Sequence, residues 1–262
     1  MRAALISLVG QPRFAGTGAL LTVAGKTLAE RQLEFARAAG CDKALLLGDG
    51  TSAEAIAIHH LAERAGLSVQ TVSVARDLLG SVRSADQLLV LAPGLLPDTS
   101  AACEVLSGAP AILVMPAAQA VPAGFERIDR ERAWAGALVM SGGLVERLSE
   151  LAADIDAAPA LLRIALQAGT TERPLPETPL GDGSWAMLGA PDADAAERAW
   201  LTRHLVIARD AVPSERIAAA AVRQFHRHAL DGRLNGSTLA AGATFLLVIA
   251  AGLALAGFAA AG

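Results

Sequence analysis

Short apolar runs and longer runs of helical period alternate through the first 117 residues. "AALISLV" (3–9), "KALLLG" (43–48), "LSVQTVS" (67–73), "QLLVLA" (87–92) and "AILVMP" (111–116) are each bounded by turn residues. Runs of this length and continuity predict strands buried on both faces. "TLAERQLEFARAAG" (27–40) and "SAEAIAIHHLAERAG" (52–66) place apolar residues at helical spacing and end at Gly40 and Gly66. Both read as helices closed by a glycine. The alternation predicts an α/β domain built on a doubly wound, mainly parallel sheet.

From 118 to 200 the pattern loosens. "RAWAGALVMSGGLVERLSELAADI" predicts a strand or turn followed by a helix, and "ALLRIALQAG" (160–169) a further helix. "TERPLPETPLGDG" (171–183) carries three prolines and predicts a loop. Another helix is expected from Pro191, with acidic residues in its first turn.

The last section differs in character. In "SERIAAAAVRQFHRHAL" (214–230), Arg216, Arg223 and Arg227 share one helical face and Ile217, Ala221, Val222 and Phe225 another. Leu239 to Gly262 then runs without a charged residue. As a helix it is about 36 Å long, enough to span a bilayer core. Arg216, Arg223, Arg227 and Arg233 precede it and no positive charge follows, so the positive-inside rule sets the N-terminal domain in the cytoplasm. The expected location is the inner (cytoplasmic) membrane, with the basic helix on anionic head groups. The expected organisation is 1–200, an α/β domain; 201–234, a linker and interfacial helix; and 235–262, a transmembrane helix.

Composition agrees with a membrane-linked protein: hydrophobic residues make up 53% of the chain, and mean hydropathy is positive. The net charge of -4 gives no support for a nucleic-acid partner. Cys41 and Cys103 show neither metal spacing nor a disulfide framework. His59-His60 point about 100° apart on a helix and make a poor ligand pair, and Cys103 reads as a small core residue.

At "LLTVAGKTLAERQLEFARAAGCDKALLLGDG" a family pattern enters. Leu21, Val23, Gly25, Lys26, Leu28, Glu30, Arg31 and Leu33 match the "L-x-x-V-x-G-K-P-L-x-E-R-x-L" segment of sugar- and alcohol-phosphate nucleotidyltransferases of the GT-A type, with Thr27 in place of the proline. "GSWAMLGAPDADAAERAWL" resembles that family's closing segment at Gly183, Trp185, Gly189, Pro191, Ala196 and Glu197. The resemblance implies attack of a phosphate oxygen on the α-phosphorus of a nucleoside triphosphate. Such chemistry rests on charge neutralisation and in-line positioning.

The family supplies these through a glycine-rich loop, a basic segment and two metal-binding aspartates. Here the loop is "VGQPRFAGTGALL", Val9 to Leu21, in which Gly10, Gly16 and Gly18 can form a phosphate nest and Arg13 can face a phosphate. With Lys26 these are the candidate nucleotide-binding residues. The basic residue of the family's "P-K-P" is missing. The first metal aspartate is expected near Ala92–Pro93 and the second near Met187, and none of these side chains holds a hard cation. Asp98 serves only if the strand end is displaced. No metal ligand and no catalytic residue is therefore assigned, and Mg²⁺ is implied only if transfer survives.

The order of parts resembles bifunctional proteins of CDP-alcohol phospholipid synthesis, whose membrane part is a CDP-alcohol phosphatidyltransferase. Its D-x-x-D-G-x-x-A-R signature is absent, and "DGR" at Asp231–Arg233 reads as a turn. Both a fragment of a longer transferase and a reduced single-span relative fit. The expected function is a membrane-tethered, nucleotidyltransferase-like domain of phospholipid head-group metabolism, degenerate at its metal site. An active CTP-dependent enzyme making a CDP-alcohol, and a non-catalytic membrane scaffold, are the alternatives. Expected partners are anionic lipid and CTP or another nucleotide, with a membrane protein or a second copy of the chain left open.

Overall fold

The computed structural model describes residues 1–8, 21–97, 100–152, 154–175, 183–189 and 199–200, all within one compact unit, Met1–Trp200. The segments expected to be the basic helix and the membrane span lie outside the described residues. Among the described residues no helix is long and apolar enough to cross a membrane.

The first strand, β1 (Arg2–Ser7), is buried along nearly its whole length. The chain re-enters at a two-residue hairpin, β2 (Thr22–Val23) and β3 (Lys26–Thr27), whose centre, Ala24 and Gly25, has φ of 50° and 77°. Two positive φ values in succession match the right-handed twist of the flanking strands. The hairpin delivers Thr27 as the N-cap of α1 (Leu28–Ala38). Its hydroxyl accepts from Glu30 N at 3.2 Å while the Glu30 carboxylate accepts from Thr27 N at 2.5 Å. This capping box satisfies two orphan donors at once, which a proline at this position could not do.

There follow β4 (Lys43–Leu47), α2 (Ala53–Arg64) capped by Ser52, β5 (Ser68–Val72), β6 (Gln87–Leu91) and a short β7 (Leu95–Pro97). Next come α3 (Ser100–Ser107), β8 (Ala111–Pro116), α4 (Ala117–Ala120) and β9 (Arg132–Ser141), then α5 (Ala157–Gln167), β10 (Thr171–Pro174) and β11 (Trp185–Met187). The seven-stranded sheet has the order β5-β4-β1-β6-β9-β8-β10. All eight residues from Ala133 to Met140 in β9 are buried, so both faces of the sheet are covered.

The sheet is mainly parallel, as the alternation predicts, but β9 runs antiparallel to both β6 and β8. Between β8 and β9 the chain forms the four-residue α4 and then turns and irregular segments over 121–131. That connection, residues 117–131, holds no helix long enough to run back along the sheet, as a parallel return usually needs. Three further expectations are corrected. The stretch after β9 forms 3-10 turns over Gly142–Glu150 rather than a regular helix. Thr171–Pro174, expected in a loop, forms the edge strand β10, where a proline costs no ladder hydrogen bond on the open side. The run at 67–73 is the opposite edge, half-exposed rather than buried on both faces.

Candidate functional site

The strand β6 ends at Leu91, and Ala92, Pro93 and Gly94 turn the chain into β7. Gly94 has φ 83°, and a Cβ there would stand 2.8 Å from the Leu188 carbonyl, so the turn admits only glycine. Gln32 of α1, 2% exposed, fixes this turn from below: its amide donates to the carbonyls of Ala92 at 3.1 Å and Leu95 at 2.9 Å. On the open side β7 pairs antiparallel with β11, Leu95 opposite Met187 and Pro97 opposite Trp185. The Leu188 amide donates to Gly94 O at 2.8 Å. Trp185 is fully buried, donates from Nε1 to Ala135 O at 2.7 Å and meets Phe35 edge-on at 5.5 Å.

The two positions where acids are expected, Ala92–Pro93 and Met187, are therefore brought together. The half-buried Met187 side chain lies across three glycines in the left-handed region, Gly94, Gly124 and Gly136. A Cβ added to Gly136 would stand 3.3 Å from Met187 Cε and 3.4 Å from Ala92 Cβ; one at Gly94 would stand 3.6 Å from Met187 Sδ. Removing three β-carbons opens the room that the thioether fills. A divalent cation wants oxygen ligands, and alanine, proline and methionine offer none, so these residues do not fit the metal of the fold family. Among the described residues no group of three His, Cys, Asp or Glu side chains can hold a metal ion.

A second feature lies at the carboxyl ends of the parallel strands. A cavity of about 180 Å³ is lined by Ser7 of β1, Leu47 of β4, Ser73 beyond β5 and Pro93 beyond β6. Asp154 and Asp156, at the start of α5, line its other side. In open α/β sheets ligands bind in the crevice outside the carboxyl ends of the strands, where the strand order reverses. Here β1 is followed by β4 and β5 on one side and by β6 on the other. The cavity sits at that switch.

Of the residues singled out in the sequence, Gly10, Arg13, Gly16, Gly18 and Asp98 lie outside the described residues. Lys26 is exposed on the β2–β3 hairpin and pairs with Glu34 of α1. Arg31, from the same pattern, is buried: it donates to Val23 O at 2.6 Å and stacks over the Trp200 ring at 4.5 Å. It ties the hairpin to Trp200. Cys41 is buried and Cys103 half-buried. Burial pushes the Cys41 thiol up to about 12 and that of Cys103 to about 11, so neither is a ready nucleophile. His59 and His60 both face the Glu63 carboxylate, at 3.4 and 3.2 Å. Gln32, Gly136, Asp154 and Asp156 were not singled out. A lone glycine within the apolar run "AWAGALVM" is the one local signal among them, since such glycines mark close approaches.

No protein-family profile matches the chain, and a search of curated proteins finds no match. Solved structures do match. A protein named a glucose-1-phosphate thymidylyltransferase, from Bacillus anthracis and in complex with sucrose, aligns with a TM-score of 0.58 at 11% identity, covering 80% of this chain and 98% of its own. A UDP-glucose pyrophosphorylase complexed with UDP-glucose aligns with a TM-score of 0.53 at 12% identity, covering 78% of this chain and 99% of its own. At these identities the likeness is one of fold: the chain has a nucleotidyltransferase-like α/β fold.

Proposed function

We propose that this chain is a membrane-tethered domain of nucleotidyltransferase-like fold, in CDP-alcohol or phospholipid head-group metabolism, that does not carry out metal-dependent nucleotidyl transfer. The observation that carries the reading is the cradle at the end of β6: Met187 fills it against Gly94, Gly124 and Gly136, beside Ala92 and Pro93. A bound divalent ion is often the largest local charge in a phosphoryl-transfer site, and an apolar cradle offers nothing in its place. The loop residues Gly10, Arg13, Gly16 and Gly18 are assigned to phosphate contact on their residue types. The membrane assignment rests on the uncharged run Leu239 to Gly262 and the arginines before it. The pathway rests on the order of parts along the chain.

The test is release of pyrophosphate from CTP by the full chain, with a panel of alcohol phosphates, with and without Mg²⁺. Turnover is expected to stay at background, while CTP binding persists without metal. Robust Mg²⁺-dependent turnover would overturn the reading and make Asp98 the next residue to change. Separately, the full chain is expected to stay with membranes through carbonate extraction. Its recovery in the soluble fraction without detergent would remove the tether.

A further inference from the structure

The seven-stranded sheet ends in two edge strands, β5 and β10, and the chain treats them differently. An edge presents unpaired backbone groups to any other strand, and charged side chains or a proline are the usual guards against pairing. The β10 edge carries Glu172, Arg173 and Pro174. The β5 edge, Ser68–Val72, carries no charge and no proline.

The ladder fixes which groups of β5 are open. Ser68 N donates to Asp42 O and Gly48 N to Val72 O, both at 2.9 Å, in parallel register with β4. Backbone direction alternates along a strand, so Ser68, Gln70 and Val72 turn their N–H and C=O groups to β4, and Val69 and Thr71 turn theirs outward. Among the described residues none bonds the backbone of Val69 or Thr71. The window closes on both sides: Leu67 N donates to Ala62 O at 3.0 Å and Ser73 N to the Asp77 carboxylate at 2.9 Å.

Such a window is its own complement. In an antiparallel pair with β5 of a second copy, Val69 of each copy faces Thr71 of the other. Both are hydrogen-bonded pairs, and the two Gln70 residues meet on the two-fold axis as a non-hydrogen-bonded pair. No like charges meet within the strand. A foreign strand finds only these few groups, whereas a second copy also brings an apolar border. Met1 aside, the large hydrophobic side chains exposed among the described residues are Ile56, 47% exposed, and Val74, 41% exposed. Ile56 belongs to α2, which packs on β5, and Val74 lies two residues beyond β5.

We infer that the β5 edge is a self-association surface, at which two copies of this chain join their sheets through antiparallel β5 strands, with Ile56 and Val74 bordering the joint. The pair is weak and reversible, because the contact is small. It is separate from the Met187 cradle and independent of the loss of transfer proposed above.

The experiment follows the full chain in detergent by sedimentation velocity over a range of concentrations, and by hydrogen exchange at the backbone amides of Val69 and Thr71. The expected result is a monomer–dimer equilibrium in which both amides gain protection as the dimer forms. Val69→Pro removes an outward N–H without breaking the ladder to β4, and Thr71→Lys sets a charge on each side of the joint. Each is expected to weaken dimerisation about tenfold or more, since every change acts twice across the two-fold axis. Thr171→Lys, on the β10 edge, is expected to leave it unchanged. Gln70→Cys is expected to give a disulfide-linked dimer under a mild thiol oxidant, its two α-carbons standing about 4.5 Å apart. Circular dichroism and thermal unfolding confirm that each variant is folded. A chain that stays monomeric throughout would overturn the inference. So would a dimer in which the Val69 and Thr71 amides exchange as fast as in the monomer, the pattern of association through another segment. Unchanged dimerisation in both Val69→Pro and Thr71→Lys would overturn it as well. CTP turnover, measured separately, reports on the transfer reading alone.

Discussion

Gly136→Ala is the sharpest test of the cradle at the end of β6. Gly136 has φ 84°, and a side chain in that region costs about 1–2 kcal/mol in backbone strain. The new methyl would stand 3.1 Å from Leu95 Cδ1, 3.3 Å from Met187 Cε and 3.4 Å from Ala92 Cβ, all inside a closed core. Overpacking of this kind costs about 1–3 kcal/mol. The sum, about 3 kcal/mol, lowers the melting temperature of a domain this size by roughly 6–12 °C. Met187→Ala alone costs about 1–2 kcal/mol, less than a fully buried truncation because the side chain is half-exposed. It also removes one of the three close contacts, so the double variant is expected to cost about 1 kcal/mol less than the sum of the single changes. The assay is thermal and denaturant unfolding of the four proteins, followed by circular dichroism. A Gly136→Ala protein within about 0.5 kcal/mol of the parent, or strict additivity, would show that Met187 does not fill this space. The thioether would then not stand in the place of a metal ligand.

Three further outcomes are expected. Gln32→Leu strands the carbonyls of Ala92 and Leu95 in the core, at a cost of about 2–4 kcal/mol by denaturant unfolding, most of it from the unpaired acceptors. The Asp129 carboxyl, held down to about 2 chiefly by the Arg132 side chain, is depressed in the fold. Its stabilising share is present above the unfolded carboxylate value near 3.9 and is lost as pH falls toward about 2, so Asp129→Asn flattens the acid limb of stability in that window, and an unchanged acid limb would discount the pair. Cys41, buried and pushed up to about 12, is expected to resist a disulfide-exchange reagent at pH 8 until the chain unfolds, whereas fast labelling in the native state would show that its pocket opens.

Local chemistry determined a good part of this molecule. Alternating apolar runs fixed β1, β4, β6 and β8, since an uninterrupted apolar strand can be stable only where both faces are covered. T-x-x-E at Thr27–Glu30 determined where α1 begins, because a capping box closes within four residues. The absence of acids at Ala92, Pro93 and Met187 was also legible, as it needs only residue types. What the sequence left open was everything set by distant partners. The reversed direction of β9 depends on its two neighbours, paired from 16 to 28 residues back at Ala111–Pro116 and from 46 to 54 residues back at Gln87–Leu91. Met187 carries no sign of its role until β11 pairs with β7 and sets it over glycines drawn from three separate turns and strands. In the sequence Asp154 lies near the end of the stretch "RAWAGALVMSGGLVERLSELAADI" and Asp156 just past it, with nothing local to mark either. Only the placing of α5 beside the ends of β1, β4 and β5 turns them into the charged wall of a cavity, because the position of a helix on a sheet is decided by packing summed over the whole core and not by the helix's own residues.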